Sequence, residues 1–129
     1  MFTHVSIGVS DFPRALAFYD AVMGTLGHQR LFGEEADGFM AYGPPECFFI
    51  INTPLTPERG TPKACNGAHL CFAAQDADMV RAFHATALAH GGRDDGPPGL
   101  RSHYAADYFA AFILDPDGHK IEAVARVSG

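Results

Sequence analysis

Long apolar runs, clustered basic residues and paired cysteines are all missing from this sequence of 129 residues. No apolar run approaches the roughly 20 residues that cross a bilayer, and the N-terminus MFTHVSIGVSD lacks the basic and hydrophobic regions of a secretory signal. The nine Lys and Arg residues form no cluster, and the formal net charge is −6. The electrostatic footprint of a protein that binds nucleic acid or a membrane surface is therefore missing. These absences predict a cytoplasmic protein whose partner is a small molecule.

The three cysteines, Cys47, Cys65 and Cys71, form no C-x-x-C pair and leave an odd count. This pattern predicts reduced thiols rather than a disulfide framework. The chain is 47% hydrophobic and 19% charged, which is typical of a globular protein. A chain of this length can bury a core without a disulfide or a structural metal. We therefore expect a single domain over residues 1–129.

An internal repeat divides the chain into two related halves. An offset of 65 residues superposes four pairs of residues, which are His4 and His69, Asp11 and Asp76, Phe18 and Phe83, and Gly27 and Gly92. Each half begins with an alternating apolar segment, continues with an Asp suited to a helix N-cap, and then has an amphipathic stretch that ends at glycine. The repeat predicts a strand followed by a helix at the start of each half, with the second helix at about 77–90.

The remaining segments predict further strands. HQRLF, GFMAYG and ECFFIIN are short and rich in aromatic or branched residues, which favours three successive strands. Residues 54–66 hold three prolines and no apolar period, which is typical of a linker. In the second half DDGPPG predicts a loop, and YFAAFIL and HKIEAVA predict two strands joined by a DPDG turn. The chain is thus predicted to contain two βαβββ modules, at about 1–53 and about 67–129.

Two histidines and a glutamate are the predicted metal ligands. Side chains alternate along a strand, so His4 and His69 point away from the helices if their apolar neighbours pack inward. Glu122 has the same position on the last strand, because the apolar Ile121 precedes it. Two imidazoles and one carboxylate suit Fe(II), Mn(II), Ni(II) or Zn(II) and leave positions open for substrate oxygens. Three protein ligands with open positions predict a catalytic rather than a structural metal site.

A polar segment before the penultimate strand, LRSHYAADYF, predicts substrate contacts. Four candidate substrate-binding residues belong to this segment, namely Arg101, His103, Tyr104 and Tyr108. The fifth candidate is Ser6, which alternation places on the same strand face as His4. The alternative is that this segment only covers the edge of a sheet. The remaining four histidines are assigned no role and are expected at helix ends, exposed faces or turns. They are His28, His84, His90 and His119.

The strings HVSIGVSD, RALAFYDAVMGTLG, GAHLCFAA and FILDPDGHKIEAV resemble the vicinal-oxygen-chelate superfamily, which includes glyoxalases, bleomycin resistance proteins and extradiol dioxygenases. The resemblance covers nearly the whole chain. It implies an α+β fold in which two βαβββ modules form curved mixed sheets around a metal cleft, commonly in a homodimer. Carried over residue by residue, it places the metal ligands on His4, His69 and Glu122 and implies a substrate that chelates through vicinal oxygens.

The sequence departs from glyoxalase I at one position. That family member carries a fourth ligand, a Glu or Gln, on the last strand of the first half. Counting along CFFIIN puts this position on Ile50 or a close neighbour, in an apolar run without a carboxylate. The resemblance therefore implies a divalent-metal-dependent lyase, isomerase, transferase or dioxygenase rather than a true glyoxalase I. The alternatives are a metal-free protein of the bleomycin-resistance kind, which would sequester a cationic drug, and a protein-interaction module.

Overall fold

The computed structural model describes residues 1–128, and Gly129, the predicted end of the second module, lies outside these residues. The first module contains β1 (His4–Gly8), α1 (Phe12–Thr25), β2 (Arg30–Glu34), β3 (Phe39–Tyr42) and β4 (Phe48–Asn52). The second contains β5 (His69–Ala73), α2 (Ala77–Ala89), β6 (Arg93–Leu100), β7 (Tyr108–Leu114) and β8 (Lys120–Arg126). Short 3₁₀ helices lie at Glu35–Asp37 and Pro57–Arg59. Each module therefore has the predicted βαβββ order.

Each module forms a four-stranded mixed sheet. The strand orders are β1-β4-β3-β2 and β5-β8-β7-β6. The first strand of each module pairs in parallel with the last, and the other neighbours are antiparallel. Parallel pairing requires a long crossover connection, which the helix and the intervening strands supply. The predicted α+β fold of two repeated modules is confirmed.

Both helices begin at the aspartates that the repeat predicts as N-caps. Asp11 Oδ1 accepts a hydrogen bond from the backbone N–H of Arg14 at 3.1 Å, and Asp76 Oδ1 accepts one from Met79 at 2.8 Å. Such a cap contributes about 1 kcal/mol to stability.

Neither helix is long and apolar enough to cross a membrane in the part of the chain that the structure describes.

The DDGPPG segment is part of a strand, so its prediction as a loop is wrong. It lies within β6, the edge strand of the second sheet, and its ladder with β7 shifts register on either side of Gly96. An edge strand with bulges tolerates proline, because one row of its N–H groups has no partner strand. Gly and Pro are common turn formers, but here they occupy a bulged edge.

One core unites both helices and both sheets. Phe18 and Tyr19 of α1 are fully buried, and the Tyr19 ring lies 5.1 Å from that of Phe49 on β4. The Tyr19 hydroxyl donates a 2.6 Å hydrogen bond to Asp115, in the turn between β7 and β8. The two modules therefore pack as one unit.

The same turn also contacts the end of β1. Asp117 accepts hydrogen bonds from the backbone N–H and the hydroxyl of Ser10. His119 Nε2 lies 2.8 Å from the carbonyl oxygen of Gly8. A carbonyl only accepts, so Nε2 carries the proton in this contact. His119 thus has a defined structural contact between the modules.

His84 is buried, which differs from the predicted exposed or terminal position. It follows the core residue Phe83 on α2, and its residue surface is 8% exposed. Its Nε2 lies 2.8 Å from Asp94 Oδ1 on β6. A buried imidazole needs such a partner, and the pair joins α2 to the edge strand.

Candidate functional site

Each sheet has one face that points away from the helices and outside the shared core, and we call these surfaces the first and second open faces. The register of paired strands assigns residues to them, because cross-strand partners share a face. The first open face carries His4, Ser6, Phe32, Phe39, Phe48 and Ile50. The second carries His69, Cys71, Tyr108, Phe112, Lys120 and Glu122.

Glu122 is the centre of the second open face. It lies on β8 and is only 2% exposed. Its Oε1 is 3.1 Å from His69 Nε2, and its Oε2 accepts a 2.6 Å hydrogen bond from the Tyr108 hydroxyl. A buried charged group needs such partners to offset the loss of hydration. Both oxygens of this carboxylate are therefore held in defined orientations.

The separation of His69 Nε2 and Glu122 Oε1 also suits two ligands of one metal. Ligands about 2.1 Å from a metal and at right angles to each other are about 3 Å apart, close to the observed 3.1 Å. Imidazole nitrogen and carboxylate oxygen together suit Zn, Fe, Mn and Ni. These two side chains thus fit a divalent metal, for which they would supply two ligands.

The third predicted ligand, His4, lies on the other open face. Its ring stacks on Phe48 with centroids 5.0 Å apart, and its Nδ1 is 3.0 Å from Thr3 Oγ1. Within residues 1–128, no three His, Cys, Asp or Glu side chains form a group that could hold a metal. One chain therefore brings together two of the three predicted ligands.

Cys71 and Tyr108 present protonated groups to Glu122. Partial burial and the negative charge of Glu122 raise the pKa of the Cys71 thiol to about 12. Burial and the hydrogen bond to Glu122 also raise the pKa of Tyr108. The thiol lies 4.0 Å from the Tyr108 hydroxyl. At neutral pH both groups are neutral.

The other predicted substrate residues border this site. Arg101 donates hydrogen bonds to the carbonyl oxygens of Gly99 and Pro97, and its guanidinium lies 5.5 Å from the centroid of the Phe112 ring. The His103 ring lies 4.3 Å from that of Tyr104, and Tyr104 meets Tyr108 edge-on at 5.2 Å. This row of rings leads from the surface to Glu122.

Ser6 lies on the first open face. Its hydroxyl accepts a 2.6 Å hydrogen bond from the Asn52 side chain. Of the five predicted substrate residues, Tyr108 is the one that contacts a predicted metal ligand directly. Sequence reasoning missed Lys120, which pairs with His69 across the strands. Period-two alternation from Glu122 would have placed Lys120 on the same face.

Ile50 is the counterpart of Glu122 in the repeat. Ile50 pairs with Ser6, two residues after His4, just as Glu122 pairs with Cys71, two residues after His69. Ile50 is 6% exposed and apolar. The first open face therefore offers neither a ligand nor a proton carrier at the position where the second open face has its carboxylate.

The fold and the site together define a class of protein with two repeated βαβββ modules and a His–carboxylate pair on an open sheet face. The sequence model of the Glyoxalase/Bleomycin resistance protein/Dioxygenase superfamily matches residues 1–123. The chain belongs to this superfamily, which confirms the resemblance found in the sequence.

Similar proteins support the fold over the whole chain. The crystal structure of a glyoxalase/bleomycin resistance protein from Albidiferax ferrireducens T118 is 38% identical with a TM-score of 0.87, and the match covers 98% of this chain and 99% of that one. A curated protein of Arabidopsis thaliana, "Probable lactoylglutathione lyase, chloroplastic", is 32% identical over 126 residues. The match covers 95% of this chain but 35% of that protein, so the chain spans about a third of its length.

A more distant structure shares the fold alone. It is a mutant of the fosfomycin resistance protein FosX from Listeria monocytogenes, complexed with Mn(II) and a dihydroxypropylphosphonic acid. It is 15% identical with a TM-score of 0.67, and the match covers 98% of this chain and 90% of that one.

Proposed function

We propose that the protein is a divalent-metal-dependent enzyme whose metal is held by His69 and Glu122 of one chain and by His4 of a second copy. The observation that carries this proposal is the 3.1 Å contact between His69 Nε2 and Oε1 of the buried Glu122. Fe, Mn, Ni or Zn would suit these ligands and, when bound, would act as a Lewis acid on a small substrate that chelates through vicinal oxygens.

The side chains around the pair would prepare this site for substrate. Tyr108 holds Oε2 of Glu122 and leaves Oε1 directed at His69. The row of rings from His103 to Tyr108 would cover the site and exclude water, while Arg101 lines its border. Exclusion of water strengthens every charge interaction inside such a site. A lyase, isomerase, transferase or dioxygenase reaction is compatible with these roles.

The second copy follows from the two open faces. The first open face exposes apolar rings, because Phe32 is 46% exposed and lies 5.2 Å from Phe48 and 5.7 Å from Phe39. An exposed aromatic patch of this kind marks an interaction surface. In a symmetric homodimer the first open face of each chain would cover the second open face of the other. His4 would then complete the ligand set, and each dimer would have two sites.

The descriptions of two relatives are consistent with this proposal. The Arabidopsis protein is described as a probable lactoylglutathione lyase, and the Listeria protein was solved with Mn(II) and a ligand that carries two hydroxyl groups. The apolar Ile50 argues against true glyoxalase I activity, because it offers neither a metal ligand nor a proton carrier. The cytoplasmic location expected from the sequence stays a prediction, and the Arabidopsis relative is described as chloroplastic.

A second candidate function is metal-free binding of a small molecule, as in bleomycin resistance. It is favoured by a cavity of about 490 Å³ between the modules, where Phe2, Phe48 and Phe72 form part of a mostly apolar wall. The His69 and Glu122 contact is also a satisfied interaction without a metal. The net charge of −6 would assist binding of a cationic compound.

Titration calorimetry distinguishes the two functions. Protein purified without chelator is titrated with Zn(II), Mn(II), Ni(II) and, anaerobically, Fe(II). We expect about one metal per chain, with affinity lost in His4→Ala, His69→Ala and Glu122→Ala. His90→Ala is the matched control, because His90 is exposed at the end of α2. Undiminished binding by all three variants would disprove the ligand set, and a parent protein that binds none of these metals would favour the metal-free function.

A further inference from the structure

Both lysines of the chain line one cavity beside the candidate metal site. Lys63 and Lys120 are the only lysines among the 129 residues. The cavity has a volume of about 290 Å³ and lies between the end of β1 and the start of β5, and His69 also forms part of its wall. No Asp or Glu of the described residues lines it. Neither lysine has a role in the ligand set proposed above.

The two lysines reach the cavity from different parts of the fold. Lys63 belongs to the linker between the modules, whereas Lys120 is the first residue of β8 and the cross-strand partner of His69. Lys120 Nζ lies 3.2 Å from Asp95 Oδ2 and 5.0 Å from the centroid of the Phe112 ring. Lys63 makes no ion pair within residues 1–128. The cavity thus has at least one uncompensated positive charge.

This concentration of positive charge contrasts with the rest of the chain. Fifteen acidic residues and nine basic ones give a net charge of −6, whereas the wall of this cavity contains both lysines of the chain and no carboxylate. A concave site lined by one sign of charge concentrates ligands of the opposite sign. The cavity therefore favours an anionic group over a neutral or cationic one.

We propose that this cavity binds an oxyanion, a carboxylate or a phosphate-like group, which is one end of the substrate. This inference rests on the proposed function for its claim that the other end of the substrate lies at the metal. His69 joins the two places, because it forms part of the cavity wall and its Nε2 lies 3.1 Å from Glu122 Oε1. The substrate class is then a small acid with vicinal oxygens. A cavity of about 290 Å³ is at the lower limit for small-molecule pockets, which suits such a ligand.

The test uses metal-free protein, so that the anion has no metal to bind. Inorganic phosphate is titrated into ¹⁵N-labelled protein at a constant ionic strength near 0.15 M, and backbone amide shifts are followed by NMR. We expect saturable shifts concentrated at residues 63–70 and 118–120. Lys63→Met and Lys120→Met should each weaken binding by about tenfold, because each removes one charge-assisted contact.

Two further variants sharpen the assignment. Arg59→Gln removes one positive charge from the same linker but outside the cavity, and it should change the affinity by less than about twofold because exposed charges are screened at this ionic strength. Asp95→Asn removes the partner of Lys120 and should tighten phosphate binding.

Three results would each overturn the inference, namely shifts that never saturate, parent-like affinity in both lysine variants, or an equal loss in Arg59→Gln. Metal binding by the parent is measured separately. Phosphate binding without metal binding would disprove the proposed function and the claim about the other end of the substrate. Metal binding without phosphate binding would disprove only the anion site.

Discussion

Tyr108 controls the orientation of the one buried carboxylate on the second open face. Its hydroxyl donates to Oε2 of Glu122, so that Oε1 is left to face His69. Hydrogen bonds from outside the ligand set fix the direction in which a ligating carboxylate points. Tyr108 is therefore better explained as a residue that positions Glu122 than as the substrate contact expected from the sequence.

Replacement of Tyr108 by Phe should weaken metal binding about 10- to 100-fold, since the ring remains while the bond to Oε2 is lost. Tyr104→Phe is the control, because Tyr104 packs edge-on against Tyr108 and is 58% exposed. Titration calorimetry of both variants measures the effect. Equal affinities in Tyr108→Phe and the parent would show that the phenol does not position the carboxylate.

Ile50 leads to a prediction about reaction type. Turnover of the hemithioacetal of methylglyoxal and glutathione needs a proton carrier beside the metal, and Ile50 supplies none where the repeat would place it. We expect no efficient activity in the thioester absorbance assay with Ni(II), Zn(II), Mn(II) or anaerobic Fe(II). Rapid turnover with any of these metals would mean that another residue acts as the base.

The sequence predicted these residues unevenly. Alternation along β5 and β8 was enough to place His69 and Glu122 on one face, because both follow from a period of two. The contact between Tyr108 and Glu122 depends on how β7 aligns with β8, and Tyr108 is the cross-strand partner of Arg126 rather than of Glu122. No local pattern determines that alignment.

The turn between β7 and β8 joins the two modules through the buried carboxylate of Asp115. Asp115 is 2% exposed and accepts from the Tyr19 hydroxyl at 2.6 Å and from the backbone N–H groups of Asp117 and His119 at 2.9 Å. The turn therefore fixes the start of β8, which carries Lys120 and Glu122. Its DPDG sequence predicted the turn, but not that it would bind the other module.

Asp115→Ala should lower the free energy of unfolding by about 2–3 kcal/mol, because it leaves three donors without their acceptor and one of them is the buried Tyr19 hydroxyl. Tyr19→Phe removes one of these bonds while the ring is kept, and it should cost about 1 kcal/mol. Urea denaturation followed by circular dichroism measures both. A parent-like midpoint for Asp115→Ala would contradict a structural role for this carboxylate.

Secondary structure was predictable where pattern and cap agreed. The second helix was expected at about 77–90 and spans Ala77–Ala89, because Asp76 caps an amphipathic stretch. β6 was not predictable in this way, since Gly96, Pro97, Pro98 and Gly99 are residues typical of a loop. Only the adjacent strand shows that this segment is paired.

The complete chain has a core shared by its two modules and two open faces outside that core. The first open face is mostly apolar and carries His4, while the second is mostly polar and carries His69 and Glu122. Alternation along the strands predicted that His4, His69 and Glu122 all point away from the helices. It did not predict that His4 lies on a different open face from His69 and Glu122. A symmetric homodimer would contain two identical contacts, and in each the first open face of one chain would cover the second open face of the other.

The most direct test of this shared site mixes two variants that each lack a different ligand. His4→Ala and Glu122→Ala should each lose metal binding. In a mixed dimer, however, the Glu122→Ala chain supplies its His4 as the third ligand. The His4→Ala chain supplies its intact His69 and Glu122 to the same site. Co-refolding the two variants in equal amounts should restore about one quarter of the parental metal content, since half of the dimers are mixed and each has one complete site. The control mixture of His69→Ala with Glu122→Ala should restore none, because both lesions lie on the second open face. Failure of the first mixture to bind metal, or equal recovery in both mixtures, would contradict a metal site shared between two copies.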